Sequence, residues 1–156
     1  MAADIWVLTE TKLKKAQTDS IDKSWKFANR GRAISTTSPK KARQKGVTVL
    51  LSSRLSAHMT KHECFTMTNE QGSLSPGTGV KITLNFRGKR AIILGMYIPP
   101  TSGAATTNNK AIQTAMHRWI CNSIIEADTN EEAVLLVGDL NPSTNSPTQA
   151  EQAMRQ

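Results

Sequence analysis

The 156-residue sequence is poor in aromatic residues (4%), holds two cysteines, and has no apolar run near the ~20 residues that a membrane-spanning helix needs. Its longest apolar run, Ala91 to Ile98, has eight residues and includes a glycine and a tyrosine. Scarce aromatics argue against a base-stacking platform of the single-strand-binding kind. Cys64 and Cys121 lie 57 residues apart with no CxxC pair, which excludes a disulfide framework and reads as reduced thiols in an intracellular protein. The start, Met1-Ala-Ala-Asp4-Ile-Trp6, lacks a basic region and an adequate apolar stretch, so no signal peptide is read. The expected location is intracellular, nuclear or cytoplasmic.

Acidic residues are also short, 12 against 20 lysines and arginines, and the shortage is local. Residues 10–45 carry eleven basic side chains against Glu10, Asp19 and Asp22, while the rest of the chain holds nine of each sign. The whole net charge of +8 therefore sits in one segment. A neutral body with a basic insert attracts phosphate-rich partners, although lysines that only keep a loop in solution would look the same. No membrane and no protein partner are read from the sequence.

Three short apolar runs share a shape. Ile5-Trp-Val-Leu8 precedes Thr9-Glu10, Ala91-Ile-Ile-Leu-Gly-Met96 precedes Tyr97-Ile-Pro-Pro100, and Ala133-Val-Leu-Leu-Val137 precedes Gly138-Asp139-Leu-Asn141. Each is too short for a helix and lacks clean alternation, which reads as a strand buried on both faces. Each also ends in a polar side chain, and sites in α/β sheets are commonly built at the carboxyl ends of strands. Two further strands, 46–52 and 80–86, make residues 47–98 an antiparallel meander with turns at 72–79 and 87–90. Val80, Ile82, Leu84 and Phe86 should share one face. One helix follows, with Ile112, Ala115, Met116, Trp119, Ile120 and Ile124 on a stripe and Asn108 or Asn109 as its cap. Residues 14–45 read mostly as loop, and 142–156 as a polar, mobile tail.

Several chemistries can be set aside. The glycines at 72–79 lack the Lys-Ser/Thr of a phosphate-binding loop. His58, His62 and Cys64 have no fourth ligand at a matching spacing, so zinc is not expected. No nucleophile elbow supports Ser-His-Asp catalysis. Glu10, Asp139 and Asn141 are different, because they can converge at one sheet edge as hard oxygen ligands of the kind Mg²⁺ takes. Asp139 and Asn141 share one side of their strand and could contact one water or phosphate together; a plain polar turn would have the same sequence.

Asp4-Ile-Trp-Val-Leu-Thr-Glu-Thr-Lys-Leu13, Gly46-Val-Thr-Val-Leu-Leu-Ser-Ser-Arg-Leu55, Met96-Tyr-Ile-Pro-Pro100 and Gly138-Asp-Leu-Asn141 together resemble the endonuclease/exonuclease/phosphatase superfamily. The likeness is greatest to its apurinic-type endonucleases and to the endonuclease modules of non-LTR retrotransposons. It covers residues 3–141. It implies an α/β (α+β) two-sheet sandwich flanked by helices, incomplete here, as one partial domain over 1–141 with a basic loop at 12–45. It also implies metal-dependent phosphodiester hydrolysis with Mg²⁺ or Mn²⁺ on nucleic acid, DNA foremost. On this resemblance Glu10 is the metal ligand, Tyr97 touches the scissile phosphate, Asp139 aligns or deprotonates the attacking water, and Asn141 orients water and phosphate. Lys12, Lys40, Lys41, Arg43 and Lys45 would hold the nucleic acid.

Two family features have no match in this sequence: the first-strand asparagine of a Trp-Asn-x-Asn-like motif and the late Asp-His pair. The expectation is therefore the front and middle of the domain, with weakened or absent catalysis. Two alternatives stay open, a non-catalytic nucleic-acid-binding remnant and an unrelated α/β module for a phosphorylated ligand.

Overall fold

Two β-sheets packed face to face, with a long helix on the outer side of one, account for most of the burial in this computed structural model, which describes residues 3–36, 46–67, 78–100 and 106–141. In chain order the elements are β1 (Ile5–Thr9), α1 (Lys15–Asn29), β2 (Arg32–Ser35), β3 (Val47–Leu51), α2 (Ser53–Ser56), β4 (Met59–Cys64), β5 (Gly79–Phe86), β6 (Lys89–Tyr97), α3 (Thr106–Thr129) and β7 (Ala133–Asp139). The three-stranded sheet has the order β1-β3-β2 and the four-stranded sheet β4-β5-β6-β7. All pairings are antiparallel except β6 with β7, where α3 carries the chain back for a parallel strand. The α/β two-sheet sandwich expected from the sequence is the observed class.

Alternation builds the layer between the sheets. Ile34, Val47, Val49 and Leu51 from the smaller sheet meet Val80, Ile82, Leu84, Ile93 and Tyr97 from the larger one. The other face of the larger sheet offers Ile92, Leu94, Met96 and Ile98 to Ile112, Met116, Ile120 and Ala127 of α3. Lys81, on β5, is 8% exposed and ion-pairs with Glu126 of α3 at 2.8 Å, so its ammonium stays matched. The β5–β6 hairpin turns on Arg87 and Gly88, both at positive φ as a two-residue turn of matching twist requires. Phe86 lies at this turn, 36% exposed, rather than in the core with Val80, Ile82 and Leu84.

Other expectations need correction. Residues 14–45 are not mostly loop, and residues 12–45 are not a basic loop throughout: Lys15–Asn29 is a helix and Arg32–Ser35 a strand. Helix α1 shows little periodicity because only a narrow strip of it is covered. Thr18 is buried and Ile21 and Trp25 are half-buried, with the Trp25 indole N–H donating to the Leu51 carbonyl at 2.8 Å. Of the three apolar runs read as buried on both faces, only the one in β6 is so buried. The outer strands β1 and β7 leave Leu8 (47%) and Leu135 (45%) exposed. The meander is split, because β3 pairs with β1 and β2 whereas β4, β5 and β6 form the other sheet.

Helix α3 begins at Thr106, so Asn108 and Asn109 lie within it; Asn109 instead donates to the Pro100 carbonyl at 2.8 Å. Ile124 is 37% exposed, because steps of four residues rotate the stripe by about 40° each and carry it off the sheet. Ser123 and Ala127 take the inward positions. The turn expected at 72–77 and the tail at 142–156 lie outside the described residues.

Candidate active site

The carboxyl ends of β1, β6 and β7 meet at one end of the sandwich, and each brings a side chain singled out from the sequence. Glu10 follows β1 in the left-handed region (φ 54), and Lys12 repeats that conformation (φ 51). Positive φ is costly for both residue types and is tolerated where surrounding contacts over-determine it. The turn is held by the Thr11 N–H, which donates to the Gly46 carbonyl at 3.1 Å. Gly46 must be small here, since a β-carbon would lie 2.5 Å from the Thr11 Oγ1.

Tyr97, the last residue of β6, is 5% exposed and belongs to the core between the sheets. Its hydroxyl faces the Glu10 carboxylate. Burial first, then hydrogen-bonding interaction with Glu10 and the charges of Glu10 and Asp139, push the phenol up to about 12. The side chain therefore stays protonated in the field of two carboxylates.

Asp139 is the register partner of Tyr97 in the parallel β6–β7 pair. The pairing depends on Gly138, at φ +143, where a β-carbon would stand 1.9 Å from the Met96 carbonyl oxygen. The weight of Gly138 is this close backbone approach. Past the strand, the Ile98 N–H donates to the Asp139 carbonyl at 2.8 Å, and the Asn141 N–H to Asp139 Oδ1 at 3.1 Å. Asn141, at φ 36, turns its amide Nδ2 onto the Ile98 carbonyl at 2.9 Å. Asp139 and Asn141 thus form a polar turn, and that turn sits beside the phenol and the first carboxylate.

Glu10, Tyr97, Asp139 and Asn141 are brought together. Lys12 is exposed two residues beyond Glu10, while Lys40, Lys41, Arg43 and Lys45 lie outside the described residues. His58, His62 and Cys64 are remote in kind and role. The His58 ring lies 4.6 Å from that of Phe86 and bonds the Asn85 carbonyl at 3.0 Å, and burial raises the Cys64 thiol.

The donor set of Glu10 and Asp139 is all oxygen and faces open water on one side. It suits a hydrated Mg²⁺ or Mn²⁺, which needs only one or two carboxylates and keeps several waters. Among the described residues no three His, Cys, Asp or Glu side chains cluster as a metal cage. No described helix is long and apolar enough to cross a membrane.

No protein-family model matches the chain, and no curated protein sequence does. Solved structures do match. The AP endonuclease LMAP of Leishmania major aligns at 16% identity and a TM-score of 0.62, over 96% of this chain and 51% of that one. TDP2 of C. elegans aligns at 16% and 0.56, over 94% and 41%, and sphingomyelinase C of Streptomyces griseocarneus at 22% and 0.54, over 97% and 55%. These structures have the endonuclease/exonuclease/phosphatase fold, and so does this chain. The chain spans about half the length of the structures it matches.

Proposed function

We propose that this chain carries the water-activating and phosphate-facing part of a metal-dependent phosphodiester hydrolase acting on nucleic acid, DNA foremost. One observation supports the reading above others: the buried Tyr97 phenol faces the carboxylates of Glu10 and Asp139 at the joined ends of three strands. Chemistry at an anionic phosphate needs such stiff, pre-arranged groups. In this reading Glu10 holds Mg²⁺ or Mn²⁺, which when bound neutralises charge developing on the phosphate oxygens. Asp139 orients a water and accepts its proton on the carboxylate. Tyr97, protonated throughout the neutral range, turns its single O–H from Glu10 to a phosphate oxygen when substrate is bound, and Asn141 fixes the turn that aims Asp139. Lys12, with Lys40, Lys41, Arg43 and Lys45, contributes phosphate contacts.

A second reading, non-catalytic nucleic-acid binding, is favoured by the way Asn141 uses its Nδ2 on the Ile98 carbonyl rather than leaving it for a substrate.

The test combines two measurements on the chain, Glu10→Gln and Asp139→Asn. Mn²⁺ binding is followed by water-proton relaxation, and nicking of supercoiled plasmid is followed with and without Mg²⁺. The expected outcome is Mn²⁺ binding weakened about tenfold or more by Glu10→Gln, on the scale of losing a metal-site contact. Any nicking should require Mg²⁺ and vanish in Asp139→Asn while DNA binding persists. Mn²⁺ affinity indifferent to Glu10→Gln, or nicking that survives Asp139→Asn, would overturn the hydrolase reading. DNA binding with no nicking favours the second.

A further inference from the structure

Helix α1 carries a row of cations that the candidate active site does not use. At about 100° per residue, Lys15, Lys26 and Lys23 fall within an arc of about 80°, and Arg30 follows directly at the helix end. All four are exposed. Among the described residues none of them makes an ion pair, whereas Arg32, Arg54, Lys61, Lys81 and Arg90 are each matched to a carboxylate. One acidic residue, Asp19, shares the arc. The flank of the row bears Phe27, which is 93% exposed.

The direction of the helix gives the row its meaning. α1 begins five residues after Glu10, at the site end of β1. It then runs back along the smaller sheet until Trp25 reaches the carbonyl of Leu51, the residue paired with Ile5 at the far end of β1. The edge-on contact of Trp25 with Trp6, centroids 5.3 Å apart, fixes the helix on that strand. From Lys15 to Arg30 the row covers about 22 Å of helix axis. A DNA strand presents a phosphate about every 3.4 Å of its axis, so a row of this length can follow one backbone for several nucleotides.

We infer that the exposed face of α1 — Lys15, Lys23, Lys26 and Arg30, with Phe27 at its flank — is a sequence-independent docking track for a nucleic-acid backbone leading away from the candidate active site. For its partner the inference rests on the nucleic-acid reading proposed above. A lipid surface is the less suitable occupant. A membrane-lying helix needs a broad apolar face to insert, and the apolar side of α1 is already spent on Trp6 and the smaller sheet. Lysines without carboxylate partners match a row of phosphates instead, and a lone exposed ring suits contact with sugar and base edges.

The track is tested by fluorescence anisotropy with a labelled mixed-sequence DNA duplex across a salt series. The proteins are the chain, the triple variant K23Q/K26Q/R30Q, the charge-conserving K23R/K26R, F27A, and Asp139→Asn. Each neutralised phosphate contributes about 0.9 to the slope of log affinity against log salt, so the triple variant should lose about 2 to 3 from that slope. Its affinity at low salt should fall about tenfold or more. K23R/K26R should keep both, and F27A should weaken binding about threefold with the slope intact.

Phosphatidylserine vesicles serve as the competing surface. An unchanged slope in the triple variant, an F27A protein that binds like the parent, or a triple variant that loses vesicles but not duplex would each overturn the track. Asp139→Asn separates the two proposals. A salt slope that depends on the α1 cations, with no Asp139-dependent nicking, removes the hydrolase and leaves the track. The converse removes the track alone.

Discussion

The phenol of Tyr97, at the end of β6, lies buried beside the carboxylate of Glu10, just past the end of β1, where the two sheets meet at the candidate site. A buried phenol facing two carboxylates cannot easily ionise. The side chain that faces the candidate site thus also belongs to the core between the sheets.

Tyr97 is the single tyrosine, so tyrosinate absorbance reports it alone. Its titration should centre near 12 rather than 10, and Glu10→Gln should lower the midpoint by removing acceptor and charge while burial keeps part of the rise. The folded value lies above the unfolded one. The stabilisation is therefore fully present below pH 10 and lost as pH rises from 10 towards 12, on the order of 2 kcal/mol. Denaturant unfolding across that window should show a shallower decline in Tyr97→Phe. Equal declines would refute the linkage.

Gly138→Ala should be among the most damaging single changes. Its β-carbon would stand 1.9 Å from the Met96 carbonyl oxygen at φ +143. A loss of about 3 kcal/mol or more is expected in urea unfolding. Gly88→Ala, at φ +91 with nothing within 4 Å, should cost only about 1 kcal/mol. Similar costs at the two positions would show that the β6–β7 approach is slack.

Asn141→Asp tests the turn. The substituted carboxylate cannot donate to the Ile98 carbonyl and would face it instead, which should cost about 1–2 kcal/mol. Nicking, if the chain supports it, should fall with it, since the turn also bonds Asp139 Oδ1. Full retention of both stability and nicking would place Asn141 outside the site.

At the opposite end of β7, Arg90 pairs with Glu132 at 2.7 Å, and the Glu132 side chain is 3% exposed, its Oε2 without a partner among the described residues. Arg90→Ala should cost about 2–4 kcal/mol by stranding a buried carboxylate. Glu132→Leu should cost about 1 kcal/mol or less, because the half-exposed Arg90 can turn to water. Thermal melts of the two variants decide it, and the reverse order would refute the argument.

The sequence by itself determined what short-range physics can specify. The alternation of Val80, Ile82 and Leu84, the Ile112–Met116–Ile120 stripe, and the apolar runs ending at Glu10, Tyr97 and Asp139 were all legible, because each depends on a period of two or 3.6 or on a run against its own turn former. The places of Glu10, Tyr97, Asp139 and Asn141 were legible from the strand ends they follow, and their roles only from the resemblance. Only the tertiary structure decided which strands share a sheet, since β3 and β4 are neighbours in sequence yet lie in different sheets, β3 between β1 and β2 and β4 beside β5. It likewise decided that α1 is a helix, for a helix packed by Ile21, Trp25 and little else leaves almost no period to read. And it alone brought the carboxylate of Glu10 near the phenol of Tyr97, 87 residues apart in the sequence, because proximity across sheets follows from register and backbone approach, which no local pattern encodes.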